Sequence, residues 1–174
     1  MPAKTARKGP ARRTTRKTGK AVDLVFAVTS VNGATAACAR HGDTAFVQTI
    51  EGYYALAARL VRGTGGRIVK TLGDGFLVTF PMARVHEGIA MLRQLQAEGT
   101  SHWRTLDPEC AVTVRVGSGP VIEGVFGPSG LRQYDVFGNA LNRLFKLPPA
   151  DFAISPELRQ VLSAGHPGLA DTMY

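Results

Sequence analysis

Apolar residues recur along this chain in two rhythms. Between Asp43 and Val61, the residues Phe46, Ile50, Tyr53, Tyr54, Ala57, Leu60 and Val61 fall three and four apart, the spacing of a helix face that packs on a core. Gly63 and Gly65 end that helix. The same period returns from Pro81 to Ala97, where Val85, Ile89, Leu92 and Leu95 share a side and Pro81 stands in the first turn. Short apolar runs bounded by glycine predict strands at Asp23 to Thr29, on both flanks of a turn within Gly65 to Phe80, and at Ala111 to Val116, Val121 to Phe126 and Tyr134 to Phe137. A loop at Ser30-Val31-Asn32-Gly33 follows the first strand, and Gly127-Pro128-Ser129-Gly130 reads as a turn. A helix near Asn139 to Leu147, a strand at Phe152 to Ile154 and a helix from Pro156 to Leu162 complete the pattern. The order β-α-β-β-α-β with a mixed continuation predicts an α+β fold, a ferredoxin-like sandwich, without internal repeats.

Composition sharpens this picture mainly through the placement of charge. The 174 residues are 44% hydrophobic and 20% charged, enough for one domain with a sizeable core. The formal charge of +8 is carried entirely by the first twenty residues, which hold Lys4, Arg7, Lys8, Arg12, Arg13, Arg16, Lys17 and Lys20 and no acid. The chain therefore divides into residues 1–20, a basic tail expected to be disordered, and residues 21–174, a formally neutral domain. The tail is an electrostatic handle for nonspecific contact with nucleic acid or an anionic membrane, although no aromatic residue interleaves its charges to stack bases. It has no apolar stretch of a secretory signal and no apolar helical face of a transit peptide, and no run in the chain approaches a membrane span. The expectation is a cytoplasmic protein. Cys38 and Cys110 are isolated, and His86 and His102 have no ligand-like neighbours, so two reduced thiols and no sequence-local metal cluster are expected.

Two polar clusters carry candidate chemistry. Asp74 sits at the tip of the hairpin Gly65-Gly66-Arg67-Ile68-Val69-Lys70-Thr71-Leu72-Gly73-Asp74-Gly75-Phe76, between glycines that remove obstructing Cβ atoms. Such a carboxylate suits a hard cation, Mg²⁺ or Mn²⁺, bridging nucleotide phosphates; it equally suits an ordinary Gly-Asp-Gly turn. In the second cluster Asn142 and Lys146 lie four apart on one face of the helix near Asn139 to Leu147, and Asp135 lies in the strand before it. Spacing alone leaves that face open to a plainer reading as solvated surface.

Taken in order, these segments resemble the catalytic domain of class III nucleotide cyclases, the adenylate and guanylate cyclases. The likeness covers about Asp23 to Leu162 and rests on four blocks: a first strand leaving through Gly33-Ala34-Thr35, the hairpin just quoted, Arg115-Val116-Gly117-Ser118-Gly119-Pro120-Val121, and Asp135-Val136-Phe137-Gly138-Asn139-Ala140-Leu141-Asn142. The resemblance implies two domains packed head to tail, with the ribose 3′-hydroxyl attacking the α-phosphorus of a nucleoside triphosphate at their interface and pyrophosphate leaving. It places Lys70 and Asp135 at the positions that read the base. A carboxylate can accept from adenine N6 while an ammonium donates to a ring nitrogen, which favours ATP over GTP. Asp74 falls on the second metal aspartate, and Asn142 on the asparagine that positions the ribose.

Two departures from the family pattern accompany these matches. Ser30 stands where the first metal aspartate is expected, and a neutral hydroxyl cannot offset the repulsion of two dications. Lys146 stands where the family has an arginine that stabilises the transition-state phosphate, keeping the charge but losing the planar two-pronged donor. The stretch between Gly117 and Gly119 is also shortened, and the sequence stops before the family's usual last strands. The resemblance thus implies a cyclase homology domain that binds a purine nucleotide with weak or single-site metal binding and impaired turnover. The alternatives are an active adenylate cyclase, the metal-deficient half of a heterodimeric cyclase, or a non-enzymatic adaptor with a basic docking tail. A diguanylate cyclase is disfavoured because Gly75, not a second acid, follows Asp74.

Overall fold

The computed structural model describes residues 19–165. Of the tail expected over residues 1–20, residues 1–18 lie outside them, whereas Lys20 is the first residue of a strand. Six strands form one sheet: β1 (Lys20–Asn32), β2 (Arg67–Thr71), β3 (Phe76–Pro81), β4 (Ala111–Phe126), β5 (Gln133–Phe137) and β6 (Phe152–Ile154). Their order is β2-β3-β1-β4-β5, with β6 joined to β4 as a parallel neighbour. The first four strands and the two long helices α2 (Asp43–Val61) and α3 (Val85–Trp103) make the expected ferredoxin-like arrangement. Short helices α1 (Ala34–His41) and α4 (Asn139–Leu144) and the last described helix, α5 (Pro156–Gly165), complete the chain.

The central strands read as continuous apolar runs because both faces of the sheet are covered. Val25 and Ala27 of β1 join Phe76, Val78 and Phe80 of β3 in the main core under α2, α3 and α5. Phe26 and Val28 point the other way, with Leu77, into a smaller core closed by Val121, Val136, Ala140, Leu141 and Leu144. Each fully buried leucine of α3, such as Leu92 or Leu95, contributes about 1.5–3 kcal/mol by leaving water.

Several elements differ from the sequence reading for identifiable reasons. β1 extends through Ser30 to Asn32 because β4 offers it partners along its whole length, from Lys20 opposite Glu123 to Asn32 opposite Ala111. The two strands read at Ala111 to Val116 and Val121 to Phe126 are one, since β1 pairs straight across Gly117-Ser118-Gly119-Pro120, where Gly119 takes φ +145°. α1 was missed; it is eight residues long and alanine-rich, and Gly33 in the left-handed region starts it. α4 ends at Leu144, and Lys146 and Leu147 continue as tight turns bonded to Arg143 and Leu144. Pro148 and Pro149 keep the helix from resuming beyond these turns, since helical dihedrals are disfavoured at Leu147, the residue before proline. α3, conversely, runs on past Ala97 to Trp103, whose ring is fully buried against Phe46 and Tyr53.

A polar clasp fixes the return from α3 into β4. Asp107 is only 2% exposed, and it accepts from the Glu109 backbone N–H at 3.0 Å, from Arg40 at 2.9 Å and pairs with His41 at 3.0 Å. The Glu109 amide first, then His41 and Arg40, hold its carboxyl below the usual carboxylate range against the opposing effect of burial. Its folded pKa is thus below the unfolded value of about 3.9, so the stabilisation is complete above that value and lost as pH falls through the folded pKa. Thermal unfolding followed from about pH 6 down to about pH 3 should show a falling midpoint, with a shallower acid slope in Asp107→Asn. An identical slope in the variant would show that the clasp does not drive acid sensitivity.

Candidate active site

The hairpin between β2 and β3 places its tip against the end of β1. Gly75 is buried there, and a Cβ built on it would stand 1.9 Å from the Thr29 carbonyl oxygen. No side chain fits without moving the tip. The Phe76 N–H donates to Thr29 Oγ1 at 3.0 Å, and the Leu72 N–H donates to the Gly75 carbonyl at 2.8 Å to close the turn. From α2, the Tyr54 hydroxyl donates to the Gly73 carbonyl while Tyr53 and Tyr54 pack on Phe76 with ring centroids 4.9 Å and 5.2 Å away. Burial pushes the Tyr53 phenol well above its ordinary range, so it stays protonated beneath the tip.

This docking determines what Asp74 faces. Its Oδ2 accepts the Val31 backbone N–H at 2.7 Å and a longer contact from Ser30 Oγ at 3.4 Å. The two positions that the sequence aligns with the metal aspartates are therefore brought together, as a carboxylate and a hydroxyl. Among the described residues no group of three or more His, Cys, Asp and Glu side chains is arranged to hold a metal ion. The residues present do not fit a pair of dications: one half-buried carboxylate, with one oxygen already engaged by neutral donors, leaves their mutual repulsion uncompensated.

Lys70 and Asp135 meet although β2 and β5 are the two ends of the strand order. Lys70 Nζ donates to Asp135 Oδ2 at 2.7 Å, and Asp135 Oδ1 is fixed by the Val136 N–H at 2.8 Å. The side chains are 41% and 18% exposed, so the ion pair itself contributes little, and a base edge that matches both groups can displace it at small cost. Phe137, half exposed, lies 5.8 Å below the ammonium as an apolar floor. Asn142 and Lys146 are exposed on and just beyond α4, and Lys146 is off the helix rather than on a face shared with Asn142. Among the described residues no hydrogen bond or ion pair links either side chain to Asp74 or to the Lys70 and Asp135 pair.

Sequence reasoning missed the Val31 N–H, the Tyr54 hydroxyl and Phe137. Only Phe137 left a signal, an aromatic residue beside the polar cluster. Phe137 pairs across the β4–β5 hairpin with Ile122, and the two are 50% and 42% exposed.

Two glycines of the tip separate packing from backbone strain. Gly75→Ala should cost about 1–3 kcal/mol by overpacking against the Thr29 carbonyl. Gly73→Ala, at φ +69° with no atom within 4 Å of the added methyl, should cost only about 1 kcal/mol of dihedral strain. Urea denaturation of both variants measures the difference, and equal losses would mean that the Gly75 contact is not what seats the tip.

The family model for the adenylate and guanylate cyclase catalytic domain matches residues 15–147. No curated protein matches the sequence. Among solved structures, the adenylyl cyclase CyaB from P. aeruginosa is 21% identical with a TM-score of 0.70, the alignment covering 83% of this chain and 82% of that one. A bacterial light-regulated adenylyl cyclase is 18% identical with a TM-score of 0.70, over 82% of this chain and 45% of that one. A class III adenylyl cyclase-like ATP-binding protein from Pseudomonas aeruginosa is 18% identical with a TM-score of 0.67, over 83% and 35%. This chain spans less than half the length of the last two. The fold is thus shared with these proteins, and the match over most of its residues shows that the chain belongs to the adenylate and guanylate cyclase catalytic domain family.

Proposed function

We propose that this domain binds a purine nucleoside triphosphate, ATP in preference to GTP, and pairs head to tail with a cyclase domain while turning substrate over poorly as a homodimer. The observation that carries the reading is the contrast between two edges of one chain. Lys70 and Asp135 are assembled at 2.7 Å with the donor and acceptor that adenine requires, whereas Asp74 faces a serine. Asn142 would position the ribose, and Lys146 would supply charge, without a two-pronged geometry, to the phosphate. A single Mg²⁺ or Mn²⁺, weakly held at Asp74, is the most this edge offers. Ile122 and Phe137 supply exposed apolar surface for a second domain beside the base-reading pair. The cyclase-like protein from Pseudomonas aeruginosa is named for ATP binding, the role that remains when turnover is weak. A cytoplasmic location fits a nucleotide ligand, and among the described residues no helix is long and apolar enough to cross a membrane.

A second reading rests on the same contrast. The base-reading set is complete within this chain and the metal edge is not, so a partner cyclase domain carrying both aspartates would complete one of the two composite sites.

The deciding measurement is a Mn²⁺-dependent assay for cyclic AMP and cyclic GMP beside equilibrium binding of ATP. The wild type should bind ATP, lose about tenfold in affinity in Lys70→Ala, and form little product. Ser30→Asp combined with Lys146→Arg should raise the rate by about tenfold or more. Wild-type turnover near about 1 per second or above, typical of a competent enzyme, would refute impaired catalysis. Absence of ATP binding would refute the nucleotide reading itself.

A further inference from the structure

A groove of about 740 Å³ opens between the two hairpins, at the end of the sheet away from the Asp74 tip. β1 contributes Lys20 and Leu24 to it, β2 Arg67, β3 Thr79, and β4 and β5 Glu123 and Tyr134, with Arg132 at the mouth. Its size is that of a site for a small molecule. Its charge is unbalanced, with Lys20, Arg67 and Arg132 facing one carboxylate. Glu123 is already engaged, accepting the Tyr134 hydroxyl at 2.7 Å. Among the described residues, none of the three cations forms an ion pair within 4.0 Å.

The two arginines are held rather than loose. The Arg67 guanidinium lies over the Tyr134 ring at 4.2 Å, which fixes it against β5 at the wall of the groove. Arg132 donates to the Val125 carbonyl, which ties it to the rim of the same groove. A guanidinium carries five N–H donors in a planar fork, the geometry that receives a planar or tetrahedral oxyanion in two-pronged fashion.

We propose that this groove is a binding site for a small phosphate-bearing molecule, its oxyanion held between Arg67 and Arg132 with Lys20 as a further counter-charge. The site is separate from the nucleotide edge and does not rest on the domain's turnover. Binding also has a mechanical consequence. Arg67 precedes Lys70 by three residues on β2, and Arg132, just before β5, precedes Asp135 by three. An anion shared by the two arginines draws the two outer strands together and braces the strands that carry the base-reading pair.

The test uses the full chain, isotope-labelled, titrated with inorganic phosphate against chloride at constant ionic strength. Amide resonances of Gly65, Arg67, Gly124 and Tyr134 should shift saturably. Arg67→Gln with Arg132→Gln should weaken that binding about tenfold or more, and Asp74→Ala should leave it unchanged. Amide exchange in β2 and β5 should slow in saturating phosphate. Shifts that do not saturate, that persist in the double variant, or that centre on Lys70 and Lys146 would overturn the proposal, and unchanged exchange would overturn the bracing. If the glutamine pair fails to fold, Arg67→Lys with Arg132→Lys decides, because charge without the planar fork should still weaken binding severalfold and an unaltered affinity counts against the site. Failure of ATP binding with phosphate binding intact would indict the nucleotide reading alone.

Discussion

The seat of the β2–β3 tip on the end of β1 is the constraint from which the candidate site follows. Gly75 lies so close to the Thr29 carbonyl that the contact admits hydrogen and nothing larger. β1 pairs with β3 up to Val28 and with β4 through Asn32, so its end is held by β4 and the tip inherits its position from a central strand of the sheet. Asp74 is aimed by that seat at Val31, and the tyrosines of α2 press the tip from behind. The carboxylate is therefore placed by packing and backbone bonds, before any ligand takes part.

The second edge of the site depends on a different device. In strand order Lys70 and Asp135 are as far apart as the sheet allows, yet they touch, because the β2–β3 and β4–β5 hairpins converge over a small core of Phe26, Val28, Leu77, Val121 and Val136. That core is what a ligand-free domain has to hold its two arms in register. The exposed ion pair adds little to it. The pair is thus available for recognition while apolar burial maintains the geometry.

The sequence revealed the parts of this design that depend on period and spacing. Helices α2 and α3 follow from apolar residues three and four apart, and the Asp74 turn from its glycines, so the sandwich could be drawn before any coordinates. Features set by tertiary partners stayed hidden. The glycine-proline stretch Gly117 to Pro120 has the local signature of a break and is strand only because β1 lies alongside. Asn142 and Lys146 have helical spacing, but the helix ends at Leu144 and the two prolines beyond keep it from resuming. The Val31 amide leaves no trace in side-chain chemistry, although it is the shortest hydrogen bond Asp74 makes. Ser30 opposite Asp74 was legible through the ordered family motifs; that it touches Asp74 was not.

Ser30 also changes the balance between folding and metal binding. Replacing it by a carboxylate at the 3.4 Å separation now seen would set two anions against each other at a cost of roughly 4 to 5 kcal/mol in a medium of effective dielectric near 20. A cation between them would be needed to recover that cost. With serine the edge holds one carboxylate rather than two: Asp74 takes the Val31 amide and a hydroxyl, and the tip closes as a hydrogen-bonded turn. On the proposed reading, serine in place of a metal aspartate relieves the domain of that charge repulsion. Under that proposal the domain keeps its fold and the Lys70–Asp135 pair without metal, the state expected of a nucleotide-binding partner rather than of a catalyst.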